Sequence, residues 1–404
     1  MINANRWIYL TAGCIALIFL GLIYAWSIFK APFLEIYPQW SISELSMTFT
    51  ISMISFCFGG FISGQFIRRI QPMLIIWISA SALFAGFFGV SMAQGSGSGE
   101  ALILLYIFYG IFCGGGVGIG YNCVIGTVNK WFSDKPGLSS GIMMMGFGVG
   151  ALIFGSLTKY FIGIIGIFST FRVLAFVVAS VLIAVSFFMV SPRRNGTTNT
   201  AAANYMRNYS LKQMLCGIKF WLFMLWAIML NSTGLLIIGN AASISLAFGA
   251  PALLGLTVSV FNGGGRVLLG YLYDKFKRKK TLLIDTLLMA SAGLLLTVGG
   301  IIGWVWLIFL GLLITGIGYG GMPAITSTFV HSEYGSEFFP INFSVATFAL
   351  IPAALIGPMI SSVLIEKSGG NYLGAFMMVV VLAVSAGFIW HLLNFVIERQ
   401  RLDD

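Results

Sequence analysis

Twelve times along its 404 residues the chain runs for some twenty residues or more with almost no charge. The runs fall near 7–29, 45–67, 72–94, 101–127, 137–162, 170–191, 218–240, 250–272, 281–302, 305–328, 339–364 and 371–395. As a helix, about 20 residues span ~30 Å, the thickness of a bilayer's hydrocarbon layer. Short segments of alternating polarity, which a closed β-barrel requires, are absent. Hydrophobic residues make up 58% of the chain and charged residues 8%, against about 25% charged in a soluble domain. The mean hydropathy is +0.97. The expected fold class is therefore all-α and integral to a membrane, with twelve transmembrane helices. The first run is too long for a cleavable signal peptide, and no small-residue cleavage site follows it.

Charge then sets orientation. A net charge of +10 in a soluble protein would suggest nucleic acid, but here the basic residues lie in short gaps between apolar runs. With the N-terminus in the cytoplasm and an even number of spans, most of the 22 Lys and Arg residues fall on the cytoplasmic side. That is the positive-inside pattern, and it places both termini in the cytoplasm. Cys14, Cys57, Cys113, Cys123 and Cys216 lie in apolar runs without disulfide or metal-ligand spacing and read as small core residues.

The least apolar interior stretch, 191–215, divides six runs from six. The expected organisation is a six-helix bundle over 1–191, a cytoplasmic linker over 192–215 and a second six-helix bundle over 216–404. The halves echo each other weakly. Gly64 to Arg69 follows the second run, and Gly270-Tyr-Leu-Tyr-Asp274-Lys275-Phe-Lys277-Arg278-Lys279 follows the eighth. The second copy resembles the major facilitator loop pattern Gly-x-x-x-Asp-Arg/Lys-x-Gly-Arg/Lys-Arg/Lys, with Lys277 where that pattern has glycine. The first copy is degraded, with Arg68 in place of the aspartate and Gln71 in place of the glycine. The resemblance implies two parallel six-helix repeats with a substrate site near the membrane midplane. It also implies conformational-gating roles for Asp274, Lys275, Arg278, Arg68 and, at the matching end of the fifth run, Asp134.

Arg266 follows Phe261-Asn262-Gly263-Gly264-Gly265 and precedes Asp274 by eight residues, about 12 Å along a helix. A charge at that depth costs roughly 2.5–3.5 kcal/mol or more. No Asp or Glu lies at an evident partner depth, so an anionic ligand is the natural counter-charge. A guanidinium grips a carboxylate through two parallel hydrogen bonds. The plain alternative is an arginine bonded to helix carbonyls and water. Tyr24, Tyr121 and Tyr319 lie deep in three other runs. Each supplies an apolar wall and one hydroxyl, and each read singly is a packing residue, as Trp26 is. Asp285 is read as a structural residue near the cytoplasmic end of the ninth run. His331, Glu333 and Glu337 are read as a short loop, and His391 as near the end of the last run.

Asn5-Arg6-Trp7 leading to Tyr24-Ala25-Trp26, and Asn129-Lys130-Trp131-Phe132-Ser133-Asp134-Lys135-Pro136-Gly137-Leu138-Ser-Ser-Gly141, resemble the oxalate:formate antiporter family. The second run is similar to that family's Asn-Arg-Trp-Phe-Pro-Asp-Lys-Arg-Gly-Leu-Ala-x-Gly stretch. Asn262 to Arg266 and Gly318-Tyr319-Gly-Gly-Met-Pro323 extend the resemblance across the chain. It implies a carboxylate carrier related to the monocarboxylate transporters. The substrate arginine would be Arg266, the pocket tyrosines Tyr24, Tyr121 and Tyr319, and a further pocket tyrosine would be replaced by Phe147. Asn262 stands where the monocarboxylate relatives have aspartate. Leu350 stands where oxalate exchangers have a second cation, and Thr315 where they have a tryptophan.

One cation suits one carboxylate, because a second carboxylate would be buried without a partner. The expectation is a secondary carrier of a small monocarboxylate (lactate, pyruvate or formate) working by alternating access and anion exchange in the cytoplasmic membrane as a monomer. Proton-coupled symport, oxalate/formate exchange and amphiphile or drug export stand as alternatives. No nucleophile–base constellation marks an enzyme. Neither a metal site nor a cofactor is expected, and Gly116-Val-Gly118-Ile-Gly120 is read as helix packing rather than a nucleotide loop. The expected partners are a small carboxylate anion and membrane lipid.

Overall fold

The computed structural model describes residues 6–67, 69–192, 208–251 and 257–403, and every regular element among them is helical. The helices are α1 (Arg6–Leu20), α2 (Trp26–Ile36), α3 (Ile42–Phe66), α4 (Pro72–Ser91), α5 (Ser98–Leu104), α6 (Gly114–Val128), α7 (Pro136–Ile165), α8 (Ile167–Ser186), α9 (Leu211–Cys216) and α10 (Ile218–Ala247). The remainder are α11 (Val258–Ile302), α12 (Val305–Tyr334), α13 (Phe339–Ala346), α14 (Leu350–Lys367) and α15 (Leu373–Asp403).

Local chemistry sets the boundaries. Ser41 and Glu44 form a reciprocal capping box at the start of α3, satisfying donors that the first turn leaves open. Pro72 opens α4, where its missing N–H costs nothing. Glycines with positive φ separate α7 from α8 (Gly166) and α11 from α12 (Gly303).

Eleven helices among the described residues are long and apolar enough to cross a membrane. One of them, α11, has 45 residues and would reach about 68 Å if straight, twice what a bilayer needs. It breaks at Lys277 (φ 60°, ψ −179°), which divides it into two spans and accounts for the twelve apolar runs. The first run is longer and less regular than expected. It passes through a 3-10 turn at Gly21–Ala25 before continuing as α2 to Ile36. Between α5 and α6 the helix widens to π geometry over Leu105–Cys113.

The outer faces are apolar. On α15, Met377, Val381, Val384 and Phe388 recur at steps of three and four and are all exposed. In water such a stripe would be buried against a partner; in a membrane it meets lipid.

The chain forms two compact units. Unit 1 is Met1–Asp134, Gly146–Tyr205 and Phe338–Val345; unit 2 is Lys135–Met145, Met206–Glu337 and Ala346–Asp404. These units depart from the simple 1–191 and 216–404 halves in two places, because the first turns of α7 pack in unit 2 and most of α13 packs in unit 1. Asn122 explains the second departure, since its Nδ2 donates to Gly60 O (2.6 Å) and to Pro340 O (2.8 Å).

Unit 1 is built on aromatic rings. Trp26 lies 4.4 Å from Tyr109 and Phe29 4.7 Å from Phe171, centre to centre. Tyr109 donates to the Ile23 carbonyl at 2.9 Å, an acceptor inside the 3-10 turn. Trp26 is the packing residue it was expected to be, 1% exposed, with its indole N–H on Leu45 O. Unit 2 has a core of mostly aliphatic residues, including Leu236, Ile237, Val258, Leu296, Leu312 and Val379.

Candidate functional site

In unit 2 the first turns of α7 run along α11 at backbone contact. A Cβ added at Gly137 would strike the Gly270 carbonyl, and one at Gly270 would strike the Gly137 carbonyl. One turn further on, a Cβ at Gly141 would meet Arg266 O. This approach carries the Met144 carbonyl to Arg266, whose Nη1 donates to it. Arg266 Nη2 donates to Asn262 Oδ1 at 3.2 Å, one helical turn back. Nε has no hydrogen-bond partner among the described residues. The residue is 8% exposed, and no carboxylate is paired with it among the described residues. The alternative of an arginine on helix carbonyls is thus met in part, by one carbonyl and one amide oxygen, neither carrying a charge.

The end of this α7–α11 contact is polar. Pro136 and the next residues open α7, whose first N–H groups have no partner within the helix. Asp274 supplies one from α11: Gly137 N donates to Oδ1 (2.9 Å) and Leu138 N to Oδ2 (2.8 Å). A carboxylate at a helix N-terminus also meets the positive end of its dipole. Three residues on, the backbone turns at Lys277, the position where the sequence pattern has glycine. Lys277 Nζ donates to Asp274 O at 2.8 Å.

The other gating candidates separate. Arg278 is 7% exposed, with Nε 3.3 Å from Glu333 Oε1, while Lys219 Nζ reaches Glu333 Oε2 at 3.1 Å. Lys275 is exposed, its Nζ 5.3 Å from the Phe276 ring centre. Asp134, in unit 1, pairs with Arg6 at 2.6 Å, and the Arg6 guanidinium lies over Phe132. Arg68 lies outside the described residues.

Tyr24, Tyr121 and Phe147 come together in unit 1. Phe147 is the hub, with ring centres 5.2 Å to Tyr24 and 4.9 Å to Tyr121. Phe56 stands 5.2 Å from Tyr121 and Phe343 6.4 Å from it. Tyr24 remains 37% exposed, whereas Tyr121 and Phe147 are buried. Tyr319, in unit 2, lies with its ring against Gly234 of α10. Thr315 is fully buried and its hydroxyl donates to Gly311 O (2.8 Å), so it is spent on its own helix. Leu350 is half-buried at the start of α14, after a 3-10 turn over Thr347–Ala349.

Residues 11–350 match the Major Facilitator Superfamily. The chain belongs to that superfamily. It is therefore a multi-pass membrane transporter and not an enzyme. It is 25% identical over 401 residues to the oxalate:formate antiporter of Oxalobacter formigenes, covering 98% of this chain and 92% of that one. An 86-residue stretch is 30% identical to monocarboxylate transporter 9 of Gallus gallus, 21% of this chain and 17% of that one. Among solved structures, a proton:xylose symporter bound to 6-bromo-6-deoxy-D-glucose superposes with a TM-score of 0.71 at 16% identity, covering 97% of each chain. That likeness carries the fold alone.

Several expectations need correcting for this superfamily member. His331 and Glu333 are not in a loop. Both lie in α12, where His331 is 4% exposed and Glu333 bridges Lys219 and Arg278. His391 is exposed on α15 near the end of the last apolar run, as read, and the helix runs on to Asp403. Cys216 is exposed rather than core, and none of the five cysteines is in a disulfide. The glycines of α6 are packing residues as expected, since a Cβ at Gly118 would strike Phe56 O. Among the described residues no group of three or more His, Cys, Asp or Glu stands where it could hold a metal.

Nothing in the sequence marks the Met144 carbonyl, because every residue has one. Glu333 could not be paired with Lys219 across 114 positions. Phe56 and Phe343 were indistinguishable from other apolar residues. Asp285 stands near the start of the second span of α11, as read, but its complete burial there was not legible.

Proposed function

We propose that this transporter carries a small monocarboxylate such as lactate, pyruvate or formate, and that Arg266 holds its carboxylate. The observation that carries the reading is a buried guanidinium with, among the described residues, no acid paired with it, two uncharged acceptors and an unpartnered Nε. A carboxylate would complete its donors with the bidentate geometry that lysine lacks. Asn262 positions the guanidinium from one turn back. The family resemblance implies substrate roles for Tyr24, Tyr121 and Tyr319 as well, whose rings and hydroxyls suit a small acid with a short apolar tail, with Phe147 in place of a further tyrosine.

Leu350 argues for one carboxylate rather than two. The oxalate exchangers that the sequence resembles hold a second cation at that position. Without it, the second carboxylate of a dianion would be desolvated without a partner. Likeness to the Oxalobacter formigenes antiporter supports anion exchange by alternating access. The Lys and Arg distribution supports a chain with both termini in the cytoplasm, and the proposed working unit is a monomer of two six-helix bundles in the cell membrane.

Uptake into reconstituted vesicles tests the reading. Radiolabelled lactate, pyruvate and formate should enter in preference to oxalate, and Arg266→Ala should weaken binding by about 2–5 kcal/mol, roughly 30-fold or more in Kd. Preferential oxalate transport by the wild type would overturn the monocarboxylate assignment.

A further inference from the structure

Asp285 is 0% exposed, and neither of its carboxyl oxygens has a hydrogen-bond partner. It lies on the second span of α11, two helical turns beyond Arg278. Its Oδ1 faces Gly318 of α12, where a Cβ would come within 3.1 Å of it. The adjacent Thr286 is fixed by the Trp226 indole of α10 at 2.9 Å.

The charged and titratable groups on the elements packed around Asp285 are otherwise engaged or turned away. Arg278 and Lys219 pair with Glu333, and His391 of α15 is exposed. Tyr319 and His331 of α12 make no hydrogen bond to it either. An ionised carboxylate buried without a donor is far more costly than the neutral acid. A metal cation would need a cage of oxygens, and among the described residues neither carboxyl oxygen has a polar partner at hydrogen-bond distance.

The same turn of α12 touches the Arg266 site. A Cβ at Gly320 would strike Asn262 O, and a Cβ at Gly265 would strike Ile317 O. Asp285 thus lies against one side of the Ile317–Gly320 turn, and the Asn262–Arg266 turn lies against the other.

We propose that Asp285 is a proton-binding site, occupied as the neutral acid in this packing, and that loss of its proton loosens the Ile317–Gly320 turn on which Asn262 and Arg266 pack. The O–H bond breaks heterolytically, the electron pair stays on the carboxylate, and the proton passes to water. The carboxylate then needs hydration or a donor that this packing does not supply, so α12 must yield. Arg266 would thereby respond to proton concentration through packing. This proposal does not depend on which anion Arg266 holds.

Infrared spectroscopy of the protein in lipid vesicles reads the proton without a substrate. The wild type should show a protonated-carboxyl carbonyl band at neutral pH, shifted in D2O and falling as the pH is raised. Asp285→Asn should lack the band, and Asp285→Glu should retain it at a changed position. Amide exchange over the 312–323 segment, corrected for the intrinsic rate, should quicken at high pH in the wild type and stay constant in Asp285→Asn. A wild type without the band at neutral pH overturns the proposal, and this reading stands even if no variant folds. A band unchanged by Asp285→Asn or by any pH, or an equal exchange response in both proteins, also overturns it.

Discussion

Lys277 sits at φ 60° and ψ −179°, a region that glycine alone occupies at low cost. A side chain held there costs of order 1–3 kcal/mol. Lys277→Gly should remove that strain, less about 0.5–1 kcal/mol for the greater freedom of glycine in the unfolded chain. The variant is expected to melt higher than the wild type in a detergent thermal scan, and a lower midpoint would show that the lysine conformation is not strained. Arg266 makes the second residue-scale prediction. Arg266→Lys keeps the charge but loses the fork that spans Met144 O and Asn262 Oδ1. Stabilisation by lactate should then weaken by tenfold or more in apparent Kd, about 1.4 kcal/mol. Equal stabilisation of Arg266→Lys and wild type would remove bidentate recognition from the account.

At the scale of elements, the contact of α7 with α11 organises the site. Glycines at 137, 141 and 270 let the backbones meet, and Asp274 ties the junction by accepting from the first free N–H groups of α7. Asp274→Asn leaves one acceptor oxygen, removes the charge opposing the helix dipole, and turns an NH2 towards an N–H. The expected loss is about 1–2 kcal/mol, seen as a lower melting midpoint, with slower transport because Met144 is no longer held at Arg266. An unchanged midpoint would show that water replaces the cap. This arrangement was half legible in the sequence. The run from Asn129 to Gly141 and the loop from Gly270 to Lys279 each stood out as motifs. That they meet was not legible, since nothing local to either helix encodes a partner more than a hundred residues away.

For the whole molecule, the energetics of Arg266 bear on the transport cycle. On the proposal that Arg266 holds the anion, a return of the empty carrier would bury the guanidinium without a counter-charge, whereas a return with an anion would not. Vesicles loaded with unlabelled lactate should therefore take up labelled lactate much faster than empty vesicles. Equal rates, or accumulation driven by a pH gradient alone, would argue for symport. The sequence by itself determined the helical class and the number of spans, and it singled out Arg266 as a charge within one of them. Hydropathy is summed along the chain, and a lipid solvent forces every apolar run to satisfy its own backbone as a helix. Only the tertiary structure decided that Arg266 rests on the Met144 carbonyl, that Glu333 bridges two cations, that α7 and α13 lend segments to different units, and that Asp285 is sealed without a donor. Each of these depends on backbone atoms or distant side chains brought together by packing, and identical local sequence would read the same wherever its neighbours lay.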